Sequence, residues 1–271
     1  MSYYLYYYQG KYNKAEPLYL RSLEIREREL GVEHPNVAIS LNNLAELYQS
    51  QGKYGEAETL YLRSLDIKEH QQEVDHPDVA ISLNNLAGLY QSQGKYSEAE
   101  TLYLRSLDIK EHQQEVNHPD VAISLNNLAG LYQSQGKYSE AETLYLRSLE
   151  IMERELGLEH PNVATSLNNL AYLYKSQGKR SEAEPLYRRS LEIRERKLGA
   201  EHPAVAISLN NLAGLYDSQG KYSKAEPLYA RSLAIFVKTL GQDHPNTQTV
   251  TSSLTLLRLR ILTGFDPATL E

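Results

Sequence analysis

Apolar residues along this chain fall into two alternating patterns, each with the period of a helix. Val37, Leu41, Leu44, Ala45 and Tyr48 recur three or four positions apart and predict one amphipathic helix. Past a Gln-Gly break, Tyr54, Ala57, Leu60, Tyr61, Ser64 and Leu65 predict a second, with its stripe facing the first. Pro35 suits the opening turn of the first helix, where an N–H would have no intrahelical partner, and Gly52 suits a left-handed stop. At the start of the second helix, Ser97 and Glu100 read as a capping box. Pro17, Pro185 and Pro227 are placed in its first turn, where the missing N–H costs little.

The pair of patterns repeats. His-Pro recurs at His34, His76, His118, His160, His202 and His244, always 42 residues apart, and Gln-Gly recurs at Gly10, Gly52, Gly94, Gly136, Gly178 and Gly220. A fixed period of this length means stacked units that bury their apolar faces against one another. The opening MSYYLYYYQG joins the series, because Gly10 lies one period before Gly52 and Tyr6 falls on Tyr48. The expected organisation is an all-α single solenoid over 1–263, with a truncated first repeat at 1–33, five complete helix pairs over 34–240, a capping helix at 244–263, and a tail at 264–271. Residues 76–107 and 118–149 are identical, so neither middle copy is specialised for catalysis.

The stretch LNNLAGLYQSQGKYSEAETLYLRSL resembles a tetratricopeptide repeat, with Ala87 as its small residue, Tyr90, Tyr96 and Tyr103 as aromatics, and Ala99 where the helices cross. The 42-residue length, HPDVAISLNNLA and the LEIRERELG ending are similar to the repeats of kinesin light chain and its bacterial relatives. The resemblance implies a right-handed superhelix whose first helices line a concave groove for peptides. No heptad coiled coil like that of kinesin light chains is found, which favours a bacterial relative.

Projecting the first helix at about 100° per residue puts Ile39, Asn42, Glu46, Gln49 and Ser50 opposite the apolar face. The groove rows are then Ile39, Ile81, Ile123, Thr165 and Ile207; Asn42, Asn84, Asn126, Asn168 and Asn210; and Glu46, Gly88, Gly130, Tyr172 and Gly214. An asparagine amide both donates and accepts, so a ladder of them can pair with an extended peptide. The resemblance implies the same use, since kinesin-light-chain repeats place asparagines on peptide backbone. The second asparagine of each pair projects toward the neighbouring helix and is assigned to stacking. Lys175, one turn beyond Tyr172, is the single basic residue near these rows, which argues against recognition of acidic tails. Aligned on the next repeat, Tyr4, Tyr7 and Tyr8 fall on the groove side, where the truncated repeat leaves an apolar end that either serves self-association or folds back as a makeshift cap.

Composition then removes other chemistries. The absence of cysteine excludes disulfides, thiolate metal sites and a cysteine nucleophile. A net charge of −7 with the signs interspersed argues against a general phosphate-binding surface. No run approaches the roughly 18 apolar residues of a spanning helix, and the opening lacks the basic start of a secretory signal. A soluble, cytoplasmic protein with no membrane or nucleic-acid partner is expected. Histidines spaced one per repeat, on units about 10 Å apart, cannot share a metal ion and read as helix-start punctuation. Rows of arginine (Arg21, Arg63, Arg105 onward) and lysine (Lys11, Lys53, Lys95 onward) read as salt-bridged surface, Arg63 with Asp66 three positions on. Phosphate loops, His-Glu-x-x-His and nucleophile elbows are missing, so no enzyme activity, metal or cofactor is expected. The function that fits is a scaffold binding extended segments of partner proteins. A self-assembling repeat module is the alternative, and an RNA-binding helical repeat is placed behind both.

Overall fold

The computed structural model describes residues 2–71, 75–113 and 117–263, apart from the side chains of residues 2–4. They form thirteen helices and no strand: α1 (Ser2–Tyr8), α2 (Tyr12–Leu30), α3 (Pro35–Ser50), α4 (Tyr54–Gln71), α5 (Pro77–Ser92), α6 (Tyr96–Gln113), α7 (Pro119–Ser134), α8 (Tyr138–Leu156), α9 (Pro161–Ser176), α10 (Arg180–Leu198), α11 (Pro203–Ser218), α12 (Tyr222–Leu240) and α13 (Pro245–Thr263). The contacts divide the chain into two compact units, Met1–Ile151 and Met152–Glu271.

Each odd-numbered helix from α3 onward opens on its His-Pro pair in one way. The histidine is the N-cap, and its Nδ1 accepts the backbone N–H two residues on, at 3.1 Å for His34 and Asn36 and 3.2 Å for His118 and Asp120. The same bond recurs at His76, His160, His202 and His244. The imidazole thus takes the place of a serine or aspartate cap, in the neutral form with its proton on Nε2. The far end of α3 is closed by a Schellman turn: Lys53 N–H reaches the Tyr48 carbonyl at 2.9 Å, and Gly52 N–H the Gln49 carbonyl at 3.0 Å. Gly52 takes φ 74°, the left-handed conformation its position calls for.

Two expectations for the even-numbered helices need correction. α6 begins at Tyr96, ahead of Ser97, so Ser97 and Glu100 lie inside the helix and form no capping box. The Schellman glycine feeds directly into this helix, with Ala99 N–H already bonded to the Lys95 carbonyl at 3.1 Å. Pro17, Pro185 and Pro227 likewise lie inside their helices, in the second turn. The copies without proline carry threonine there, and its hydroxyl bonds the carbonyl four residues back, Thr101 to Ser97 at 3.1 Å.

In the first unit, Val37, Ala38, Leu41, Leu44 and Leu47 of α3 pack with Ala15, Tyr19 and Leu23 of α2 and with Ile67 of α4. One repeat on, Val79, Ala80, Leu83, Leu86 and Leu89 of α5 meet Ala57, Tyr61 and Leu65 of α4. The alanines let backbones approach, and buried serines use that approach: Ser106 donates to the Ala80 carbonyl at 2.8 Å and Ser64 to that of Ala38 at 2.9 Å. In the second unit, Val205, Leu209, Leu212 and Leu215 of α11 join Tyr187, Tyr229 and Phe236, and Val250, Leu254 and Leu257 of α13 cover them. The face on which α11 buries Ala206, Leu209, Ala213 and Tyr216 is Gln248, Thr251, Thr255 and Arg258 in α13, all exposed. That substitution makes this side of α13 polar.

Charged residues are also used between repeats. Arg63 pairs with Glu27 at 2.7 Å, and Arg105 with Glu69 at 2.7 Å; the expected Arg63–Asp66 pair is replaced by Asp66 with His70. Stacking brings the glutamate of the preceding even helix closer than a neighbour three positions along. Lys53 pairs with Glu16 and Lys95 with Glu58, while each ammonium also sits 4.9 Å from a tyrosine ring centroid, Tyr48 or Tyr90. Glu58 accepts from Tyr90, Gln93 and Lys95 together. Burial works against its charge, but these bonds prevail and hold the carboxyl below its ordinary value. A further basic row, invisible as such in the sequence, is buried: Lys68 and Lys110 reach one carbonyl each, of Asp78 and Asp120. Desolvation pushes both ammonium groups below the ordinary lysine value.

Candidate functional site

Of the rows read from the sequence, the isoleucines lie on the exposed sides of the odd-numbered helices, whereas the asparagines are buried or half-buried. In the first unit Ile39, Ile81 and Ile123 project into solvent, each 41–47% exposed. Beside them the asparagines are partly engaged. Asn42 is buried and donates to Ser82 Oγ at 3.3 Å, whereas Asn84 and Asn126 are half-buried. Asn84 Oδ1 accepts from Asn127 Nδ2 at 3.0 Å. In the second unit Asn168 is buried and its Oδ1 accepts from Asn211 Nδ2 at 2.9 Å, while Asn210 is half-buried with a sheltered oxygen. The second asparagines therefore do stitch repeats, and they do so through the oxygens of the first. Asn84 keeps its amide N–H groups without an acceptor among the described residues, so what this residue offers to a ligand is a donor.

Below the ladder in the first unit lies a cavity of about 550 Å³. Tyr7, Glu46, Tyr61, Asn84, Gly88 and Tyr103 are among the residues that line it. Tyr61 donates to Gln49 at 3.3 Å, and Gln49 in turn donates to Ser92 at 3.2 Å; Tyr103, Gln91 and Ser134 repeat the relay at 3.2 and 3.1 Å. The sequence places Gln49 on this side; the column it forms with Gln91 and Gln133, and its bonds to the tyrosines, emerge only from the structure.

The column changes character in the second unit, where Lys175 and Asp217 stand in place of glutamine. Tyr187 then has no acceptor, and its hydroxyl is buried without a partner among the described residues. Lys175 extends instead over Gly214, its Nζ 3.1 Å from where a Cβ would stand. Desolvation lowers its pKa, and the nearby Asp217 opposes that effect. Asp217 itself is bridged by Arg260 of α13 at 2.9 Å. Tyr172 projects freely, 52% exposed, and Ile207 lies in the same face.

At the start of the chain, Tyr6 packs against the core, while Tyr7 donates to Glu46 at 3.0 Å and lies 3.1 Å from Ser50. Of the three tyrosines expected to form an associating end, Tyr7 is taken up in the first unit and Tyr8 is exposed at 65%. The side chain of Tyr4 lies outside the described residues. Among the described residues no cluster of metal-ligating side chains occurs, and no helix is long and apolar enough to cross a membrane.

The sequence profile of the tetratricopeptide repeat matches residues 4–70, 48–112, 120–196 and 181–238, and the chain belongs to that family. Its fold is the tetratricopeptide solenoid. Among solved structures it is similar to the nearly identical TPR-like repeats of a Podospora anserina protein assigned as a kinesin light chain, with 31% identity over 76% of this chain and 98% of that one and a TM-score of 0.59. BtubC (BKLC) from P. vanneervenii is 26% identical over 89% of this chain and 94% of its own, with a TM-score of 0.63. PilF of Pseudomonas aeruginosa shares the fold at 19% identity, 84% and 93% coverage and a TM-score of 0.51. A search among curated proteins finds no significant match. Tetratricopeptide repeat proteins are generally scaffolds for protein–protein interaction.

Proposed function

We propose that the exposed faces of the odd-numbered helices bind an extended segment of a partner protein, and that the chain does no chemistry of its own. The observation that carries this reading is Asn84, half-buried beside exposed Ile81 and above a cavity, with its oxygen committed to Asn127 and its N–H groups open. Two such donors suit the carbonyls of an extended backbone, and the isoleucines beside them suit its apolar side chains. Most members of the basic rows are spent on ion pairs in both units, Lys53 with Glu16 and Arg189 with Glu153 among them, which argues against a free track for phosphates.

Asn84→Asp separates binding from stacking, because it keeps an acceptor for Asn127 and removes both donors. With a peptide selected from a random library on the intact chain, the variant is expected to bind about two- to tenfold more weakly, the equivalent of ~0.5–1.5 kcal/mol for a lost hydrogen bond. Its thermal midpoint should stay within a few degrees of the parent. Unchanged affinity, or a library that yields no binder, would sink the reading.

A further inference from the structure

α3 and α5 are sixteen-residue helices that differ at two positions only, Asn36 for Asp78 and Glu46 for Gly88, and α7 repeats α5 without change. Both are exposed, Asn36 in the first turn and Glu46 on the face that carries Ile39, and of the two only Glu46 lines the cavity. A second departure stands opposite it. The column that reads Gln49, Gln91 and Gln133 begins with Tyr7. These two departures meet: Tyr7 OH donates to Glu46 Oε1 at 3.0 Å. Together they wall one end of the 550 Å³ cavity, where the corresponding step between α5 and α7 has glycines at 88 and 130 and no carboxylate.

The chemistry of that cavity has one sign. Glu46 is the single charged residue among those described as lining it, and its Oε2 has no partner among the described residues. The remaining lining includes the rings of Tyr7 and Tyr54, the otherwise buried Tyr61 and Tyr103, and the amides of Gln49 and Asn84. A volume of this size lies within the range of roughly 300–1,000 Å³ usual for side-chain and small-ligand sites. A carboxylate with one oxygen open, beside the half-buried Tyr7 and the exposed Tyr54, suits a planar cation, because guanidinium pairs with carboxylate through directed N–H bonds and stacks on accessible aromatic rings.

We infer that this cavity takes an arginine side chain of the bound segment, held by the Glu46 carboxylate beside Tyr7 and Tyr54. Glu46 is thereby a specificity-determining residue, and the first unit selects a basic position in its partner. This rests on the peptide-binding reading above and goes further by naming the side chain and its counter-charge.

The test uses the intact chain and an array of nine-residue peptides in which one set of flanking sequences carries arginine, norleucine or glutamate at the centre. Arginine peptides are expected to retain the labelled chain about tenfold more than their norleucine counterparts, and glutamate peptides least. In Glu46→Gln and in Glu46→Gly the arginine advantage should vanish while norleucine retention holds. The glycine variant carries what α5 has at the same place, so its fold is secured by the chain's own precedent. Equal retention of arginine and norleucine peptides, or an arginine advantage that survives both variants, overturns the inference and leaves the groove reading standing. Retention of none of the peptides overturns both.

Discussion

Raising the pH past about 10 is expected to unfold the chain in a steep step, with tyrosine ionisation and loss of helix occurring together. The cause is a column of tyrosines on the even-numbered helices, of which Tyr103 and Tyr229 are 5% and 4% exposed. Burial raises both hydroxyls to about 12, and it raises those of Tyr61 and Tyr187 further still. Tyr7 is also pushed up to about 12, by burial first and with the Glu46 charge contributing. In the unfolded chain each would ionise near 10. The fold therefore prefers the neutral form, and this contribution is complete below about pH 10 and is lost as the pH climbs from there toward 12. A displacement of two pKa units corresponds to at most ~2.7 kcal/mol per tyrosine, so a few such groups together approach the ~5–15 kcal/mol that typically separates folded from unfolded chains.

The buried lysines act in the opposite sense over a lower range. Lys68 and Lys110 have depressed values in the fold, so the folded state gains relative stability as the pH passes their values and approaches that of a free lysine near 10.4. A shallow rise in stability should precede the collapse. Tyrosinate absorbance followed against pH, with helical circular dichroism on the same samples, checks both parts. Exposed tyrosines such as Tyr8 provide an early wave, and the interior column ionises only with the unfolding wave. If the whole tyrosine set of 22 titrates smoothly while the helix signal persists, the interior assignment is wrong.

The same column shows what a single sequence discloses and what it withholds. Helix existence and the 42-residue period were legible because they rest on local spacing, which Val37, Leu41, Leu44 and Tyr48 display within one helix. The histidines were legible as helix starts, but the acceptor role of Nδ1 toward the N–H of Asn36 or Asp78 depends on a ring orientation that spacing does not encode. Contacts between repeats were largely hidden. Arg63 was read against Asp66, because a helix-surface rule looks three or four residues along, yet its partner Glu27 lies 36 residues back and is brought near only by stacking. Asn84 was read as free for a ligand; its oxygen is claimed by Asn127, 43 residues on, one period plus one. The buried basic row was hidden for a related reason, since Lys68 resembles any surface lysine until the next odd-numbered helix closes over it. Departures within columns, Glu46 among glycines and Lys175 among glutamines, were available in the letters alone, and they are where the two units acquire individual chemistry.

The identical copies allow a second large effect to be read twice. Leu86 of α5 and Leu128 of α7 occupy the same place in residues 76–107 and 118–149, and both are 2% exposed. Leu86→Ala removes atoms from the cluster that joins Ala45, Tyr61, Leu83 and Leu89, where helices on both sides limit relaxation. A cost of ~2–5 kcal/mol is expected, as for other buried leucines whose site cannot collapse. Leu128→Ala should cost the same within ~0.5 kcal/mol if each repeat senses only its immediate neighbours, which is the behaviour of stacked repeats whose energies sum over units and interfaces. Urea unfolding of the two single variants and of the pair measures this directly. The double variant should lose close to the sum, because few contacts join α5 to α7 compared with those that each makes to its adjoining even-numbered helices. A difference above ~1 kcal/mol between the two singles would mean that stability is distributed along the first unit by position rather than by local sequence.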